Sequence, residues 1–143
     1  MIRAYHAADL PELMEVFKSN TPRYFAASES TDLERYLDDH GGTYLVCVND
    51  GNVIGGAGYV IREKDNLGLV TWIFLRPEAS GRGLGRKLVE QCLAHLRRNS
   101  HVDTIRVNTS QHAFRFFEKF GFKIILKEED HWAPGLDLYR MEM

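Results

Sequence analysis

An apolar segment and an amphipathic segment are joined by the stretch Arg76-Pro77-Glu78-Ala79-Ser80-Gly81-Arg82-Gly83-Leu84-Gly85-Arg86-Lys87. The composition of residues 67–75 predicts a strand, and the apolar residues of 83–98 recur with a helical period. Three alternating glycines leave the backbone open to close approach by a ligand. The start of the predicted helix supplies unpaired N–H groups and a positive dipole end, and Arg82, Arg86 and Lys87 add charge. Together these features predict a pyrophosphate site.

Two well-known phosphate loops do not fit this spacing. A Walker A loop needs a glycine five residues after its first, where this chain has Arg86, and a hydroxyl residue where it has Leu88. The dinucleotide fingerprint has the pattern GxGxxG, whereas this loop is GxGxG, and Asp103 precedes the next strand instead of ending it. A plain glycine-rich turn at the start of a helix remains the alternative to a phosphate loop.

The pattern of apolar and turn residues predicts one α+β domain. Besides the helix over residues 83–98, helices are expected after Asp9, after Thr31, which pairs with Glu34 in a capping box, and from Ser110 to Gly121. Asp130-His131-Trp132 falls in the connection between the last two strands. The predicted strands are Ile2–Tyr5, Thr43–Val48, Val53–Arg62, Leu67–Leu75, Ile105–Val107, Phe122–Leu126 and Leu136–Met143, of which the second to fourth form an antiparallel meander.

Composition excludes several classes of protein. The chain has 143 residues, of which 44% are hydrophobic and 27% charged, enough for a core and unlike a disordered protein. A net charge of -2 argues against nucleic acid as a partner, and no apolar run is long enough to predict a membrane helix or a signal peptide. Cys47 and Cys92 lie in apolar stretches and form no CxxC pair, so we expect buried thiols, no metal and a cytoplasmic location.

Three motifs and the order of the elements resemble the GNAT acyltransferases over nearly the whole chain. The loop Ser80–Gly85 matches the R/Q-x-x-G-x-G/A motif of that superfamily except at its first position. Residues Phe116–Phe122 are similar to its (L/F)-Y-E-K-x-G-F segment, and Asp137–Met141 to its closing strand. The resemblance implies the GNAT fold in a single domain over residues 1–143, with a mixed central sheet flanked by helices.

The resemblance also implies how a donor would bind. The strands around Leu67–Leu75 and Thr104–Val107 would splay apart, and the pantetheine arm of acetyl-CoA would enter the gap. Its pyrophosphate would lie on the glycine loop. The implied acetyl-CoA-binding residues are Ile73, Leu75, Ser80, Gly81, Arg82, Gly83, Leu84, Gly85, Arg86, Ser110 and Phe117.

The chain differs from the family pattern at the positions of the usual general acid and general base. Phe117 stands where the family usually has the tyrosine that protonates the leaving thiolate, and Leu69 stands at the usual position of the basic glutamate. Ser80 and Ser110 replace the usual Arg or Gln and the customary Asn. Either other residues or water carry the protons, or the protein binds acyl-CoA without catalysis.

Several residues are candidates for the missing roles. Tyr139 is the candidate acid, on a strand face shared with Asp137 and Met141. The candidate bases are Glu63, Asp130 and His131, whereas His112 is expected to face solvent. Tyr24 and Phe25 would either cover the acceptor or fasten their segment to the core.

The sequence therefore predicts an N-acetyltransferase that uses acetyl-CoA. The amine of a small molecule or of a peptide would attack the thioester directly, with no covalent enzyme intermediate. A non-catalytic acyl-CoA-binding or sensing module is the alternative from another class. A homodimer formed through an edge strand is a further expectation.

Overall fold

A seven-stranded mixed sheet forms the centre of the protein, with strand order β1-β2-β3-β4-β5-β7-β6. The structure, a computed structural model, describes residues 1–143. The strands are β1 Ile2–Ala4, β2 Tyr44–Asn49, β3 Asn52–Arg62, β4 Leu67–Leu75, β5 Thr104–Thr109, β6 Lys123–Ala133 and β7 Leu136–Glu142. The helices are α1 Leu10–Lys18, α2 Ser30–His40, α3 Leu84–Arg97 and α4 Phe114–Glu118. None of these helices is long and apolar enough to cross a membrane.

The sheet is antiparallel except where β4 meets β5. These two strands pair in parallel from Leu67↔Thr104 to Val70↔Val107, and beyond that point each continues without the other. β5 then pairs with β7 through Thr109, while β4 runs on to Leu75 beside β3. The sheet therefore opens into a V between β4 and β5, as the resemblance implied.

A bulge interrupts β4 at the mouth of this V. Gly58 pairs with Thr71 and Gly56 with Phe74, so two residues of β4 oppose one of β3. Trp72, within the bulge, has a φ of +45°. This backbone conformation costs a residue other than glycine about 1–3 kcal/mol. The buried Tyr44 hydroxyl donates a hydrogen bond to the Trp72 carbonyl at 2.7 Å. That bond fixes the bulge from β2, two strands away in the same sheet.

Two hydrophobic cores lie on opposite faces of the sheet. One is formed with α3 and α4 and includes Leu88, Cys92, Leu96, Phe117 and Met141. The other lies under α1 and α2 and includes Leu13, Phe17, Leu33, Tyr44 and Phe74. Each amphipathic helix thus buries its apolar face against the sheet, as the periodicity predicted.

α1 begins at Leu10, directly after Asp9 as predicted, whereas α2 begins at Ser30, before its predicted cap at Thr31. The Glu29 carboxylate, not Thr31 with Glu34, closes the capping arrangement at α2 by accepting the Ala26 N–H at 2.7 Å. At α1 the Asp9 carboxylate accepts the His6 N–H at 2.8 Å. A short 3₁₀ turn precedes each helix. The carboxylate of the last residue in that turn accepts the backbone N–H of the residue three positions earlier.

The last third of the chain also corrects the sequence prediction. Asp130-His131-Trp132 lies within β6, which continues to Ala133 and turns tightly at Gly135, so it does not form a connecting loop. Asp130 holds a second bulge, since its N–H donates to the Asp137 carboxylate at 3.0 Å and its own carboxylate accepts the Gly135 N–H at 2.7 Å. α4 is shorter than expected and begins at Phe114, after a turn at Ser110.

Gly55→Ala is expected to destabilise the fold strongly, because β3 lies too close to β4 for a side chain. A Cβ at Gly55 would lie 2.3 Å from the Phe74 carbonyl oxygen and 2.8 Å from the Leu75 Cα. Both are backbone atoms, so we expect a loss of about 3 kcal/mol in the free energy of unfolding. Gly42→Ala is the control, because its Cβ would meet nothing within 4 Å. Equal urea midpoints for the two variants would contradict this account.

Candidate active site

A single cleft of ≈ 780 Å³ opens where β4 and β5 separate. All of the predicted donor-binding residues line it except Arg82, whose side chain lies outside. Leu69 and Phe117, at the usual base and acid positions, line it as well. The residues that the resemblance implied as donor-binding therefore lie together along one cleft, and their role as a donor site stays a prediction.

The glycine loop supplies the polar end of the cleft. Gly81 and Gly83 have φ values of +83° and +76°, and Gly83 is the residue that precedes the first turn of α3. A Cβ at either glycine would meet nothing within 4 Å, so the space beside this backbone is open. No side chain caps the helix start, which leaves its first N–H groups free to receive an anion.

The edge of β4 supplies an extended wall. Beyond Val70 this edge has no strand partner, and its residues Ile73 and Leu75 face the cleft. Phe117 closes the opposite side, 2% exposed and packed edge-to-face on Phe116 at a 5.0 Å centroid distance. An extended, amide-bearing ligand can pair with such an edge as an added strand would.

Aromatic side chains surround the other end of the cleft. Phe25 stacks on Trp72 with ring centroids 5.9 Å apart and so fastens its segment to the core. Tyr24 lies at the mouth against His112, at a centroid distance of 6.5 Å. Trp132 reaches in from β6, where its Nε1 donates to the Thr109 carbonyl at 3.3 Å. Phe25 thus fastens its segment to the core, whereas the covering of an acceptor by Tyr24 stays a prediction. His112 is exposed yet lines the cleft.

Glu29 is the acidic residue that faces this aromatic end, and sequence reasoning missed it. Its side chain is buried with 8% exposure, and burial raises the pKa of its carboxyl. Smaller influences are the Ala26 N–H and His131, which lower that pKa, and Asp32, which raises it. The spacing Ala26 to Glu29 could have indicated a helix cap, but no sequence pattern places that cap beside a cleft formed by β4 and β5.

The predicted acid and bases lie elsewhere. Tyr139 does not line the cleft: its ring packs on Phe114 at a 5.0 Å centroid distance, and the Lys127 ammonium lies 4.7 Å above it. Asp130 holds the β6 bulge, and His131 Nδ1 lies 2.9 Å from the Glu128 carboxylate. Glu63 is exposed in the turn between β3 and β4. None of these residues lines the cleft.

The model of the acetyltransferase (GNAT) family matches residues 10–122, which include the loop, the bulged strand and every residue that lines the cleft except Trp132. The chain belongs to the GNAT family. Human N-acetylaspartate synthetase is a curated relative, 27% identical over 116 residues that cover 78% of this chain and 38% of that protein. The chain thus spans well under half the length of this relative.

Solved GNAT structures share the whole fold. The phosphinothricin acetyltransferase of Sinorhizobium meliloti in complex with acetyl-CoA superposes with a TM-score of 0.81 at 20% identity, covering 100% of this chain and 86% of that one. The ribosomal-protein-alanine N-acetyltransferase of Brucella melitensis gives 0.79 at 19% identity, covering 100% and 98%. At such identities the likeness establishes the fold.

Gly83→Val is expected to weaken CoA binding at least tenfold, or about 1.4 kcal/mol, while the protein stays folded. A branched side chain would occupy the open space beside the loop and oppose the positive φ of this residue. Gly51→Val is the matched control, because Gly51 has a φ of +78°, an equally open Cβ direction and a place in the distant β2–β3 turn. Calorimetric titration with CoA separates the two, and equal affinities would show that the loop is only a turn.

Tyr139→Phe is expected to leave kcat within about twofold of the unmodified enzyme. Loss of a proton donor at the reacting atoms typically costs about 10²–10⁴-fold, and this hydroxyl lies outside the cleft. Steady-state thiol release measures the effect. A fall of a hundredfold with an unchanged KM for acetyl-CoA would restore Tyr139 as the acid.

Proposed function

We propose that this chain is an N-acetyltransferase that moves the acetyl group of acetyl-CoA to a primary amine of a small molecule or a peptide. One observation carries the proposal: the helix start at Gly83 and the unpaired edge of β4 form one continuous wall of one cleft. Membership of the GNAT family supports the same conclusion. We also propose that residues 1–143 act as one domain.

The two ends of the cleft suit the two halves of the donor. The N–H groups that begin α3 would bind the pyrophosphate, with Arg86 nearby, and Ser80 and Leu84 beside it. The pantetheine amides would pair with the β4 backbone at Ile73 and Leu75, and Ser110 and Phe117 would border the arm. This arrangement brings the thioester toward the Trp72 bulge, where the aromatic end begins.

Direct transfer of the acetyl group to the amine, without an acyl-cysteine intermediate, is consistent with the burial of both cysteines. Cys92 is fully buried on the inner face of α3, and burial raises the pKa of its thiol to about 12. Burial also raises the pKa of Cys47, and neither cysteine lines the cleft. A neutral, inaccessible thiol is a poor nucleophile. The enzyme would therefore work by aligning amine and thioester, which supplies a large part of the rate enhancement in such reactions.

The names of similar proteins suggest acceptors that carry a primary amine. The curated relatives are N-acetylaspartate synthetases, and the Brucella protein acetylates an alanine of a ribosomal protein. We extend to this chain only the common element, an amine. A non-catalytic acyl-CoA binder remains the second candidate, and a homodimer would use the open edge of β6, where Ile125 and Leu126 are exposed.

Two measurements test the proposal. CoA at about 100 times its Kd should stabilise the fold by about 2.7 kcal/mol, seen as a rise in Tm, whereas ATP and NAD should not. Thiol release from acetyl-CoA should then accelerate when a panel of primary amines is added, with the acetylated amine detected by mass spectrometry. A rise in Tm without any amine-dependent thiol release would identify a binder. No rise in Tm would reject the donor itself.

A further inference from the structure

Glu29 supplies the only carboxylate among the residues that line the cleft. Its Oε2 accepts the Ala26 N–H at 2.7 Å, whereas Oε1 makes no hydrogen bond within the protein. Since no buried side-chain oxygen lacks a partner, Oε1 stays accessible from the cleft. Oε2 thus stabilises the start of the helix, and Oε1 is free to accept a hydrogen bond from a ligand.

This carboxylate has no counterion in the protein. No lysine, arginine or histidine nitrogen lies within 4 Å of it, although the side chain is 92% buried. Burying a carboxylate without a cation costs free energy that folding alone does not recover. A cationic ligand that binds in the cleft would supply the missing charge.

The surroundings of Glu29 suit an ammonium group. Tyr24, Phe25, Trp72 and Trp132 line the same end of the cleft, and the faces of aromatic rings attract cations. Two of the cleft's basic side chains are directed elsewhere. Arg76 lies 3.9 Å from Glu15 of α1, and Arg86 lies 2.8 Å from Glu90 of α3. The aromatic end therefore favours a cation over an anion.

We propose that Glu29 binds the ammonium group of the acceptor and then acts as the general base that removes its proton. The proposal rests on the acetyl transfer proposed above. The ammonium gives one proton to the carboxylate, and the neutral amine then attacks the carbonyl carbon of the thioester. A C–N bond forms and the C–S bond breaks. The nitrogen loses a second proton, the CoA thiolate gains one through water, and Glu29 returns its proton to solvent.

The pH dependence follows from the groups that face Glu29. Burial holds the pKa of its carboxyl above the ordinary value, with Asp32 of α2 acting in the same direction and His131 of β6 and the Ala26 N–H against it. His112 lines the same cleft. Below its pKa the protonated carboxyl can neither pair with an ammonium nor accept a proton. Turnover should therefore rise with pH through the raised pKa of Glu29.

The proposal also specifies a class of acceptor. The acceptor should be an amine that is protonated at neutral pH, with an apolar or cationic body near the reacting nitrogen. A carboxylate next to that nitrogen would face Glu29 across a poorly hydrated space and be repelled. Simple arylalkyl amines should thus be better acceptors than acidic amino acids.

Glu29→Gln tests the base while keeping the fold. The glutamine carbonyl can still accept the Ala26 N–H, so the helix start is preserved, and only the charge and the basicity are lost. Glu34→Gln, on the exposed side of α2, is the matched control for charge. The shift in Tm with CoA should be the same in both variants and in the unmodified protein. The Tm of Glu29→Gln without CoA should be equal or higher, because an uncompensated buried charge has been removed.

Two acceptors that differ by one oxygen atom distinguish a lost base from a damaged cleft. Benzylamine is protonated at pH 7, whereas O-benzylhydroxylamine is largely neutral. Glu29→Gln should lower kcat/KM for benzylamine about 100-fold and change that for O-benzylhydroxylamine by less than about threefold. Glu34→Gln should change neither.

Each other outcome overturns the inference. Equal losses on both acceptors would mean that Glu29 only shapes the cleft, and no loss on benzylamine would mean that water is the base. Better use of aspartate than of benzylamine would reject the acceptor class. If the unmodified protein binds CoA but acetylates neither probe nor any panel amine, the proposed function fails and the role of Glu29 fails with it.

Discussion

The hydrogen bond from the Tyr44 hydroxyl to the Trp72 carbonyl holds the one strained point on which the cleft depends. Trp72 keeps a positive φ in the middle of a strand, and a lone backbone would relax to a regular extended form. Burial raises the pKa of Tyr44 well above its ordinary value, so its hydroxyl keeps the proton that it donates. The flanking glycines of β3 leave room for the Tyr44 ring, since a Cβ at Gly56 would lie 2.6 Å from it. The bulge in β4, the Tyr44 ring and the glycines of β3 therefore depend on one another.

Local patterns predicted the glycine loop and the strand and helix on either side of it, because these form one contiguous stretch. The strand before the loop, the positive-φ glycines and the helix after it are all encoded within residues 67–98, where turn chemistry and periodicity act directly. The splayed strands and the central sheet came from the resemblance to the GNAT family. Periodicity alone would not have separated β4 from β5.

The aromatic end of the cleft could not be predicted in the same way. Glu29, Trp72 and Trp132 come from three distant parts of the chain, and only the folded sheet brings them to one cleft. Alternation along β7 correctly grouped Tyr139 with Met141, yet it could not say that this face packs on α4. Asp130 and His131 are polar and lie on β6 beside Trp132, but Asp130 is bonded within a bulge and His131 is hydrogen-bonded to Glu128.

The placement of the two cores has a consequence for redesign. The glycine loop is anchored to the core under α3, whereas Phe25 packs on the rings of Phe17 and Phe74 in the core under α1 and α2. The glycine loop and the aromatic end are therefore packed against opposite faces of the shared sheet. Substitutions at Tyr24 and Phe25, between α1 and α2, would therefore reshape the aromatic end without touching the packing of the glycine loop, as long as Asn20, which donates to the Leu75 carbonyl at 2.8 Å, is kept.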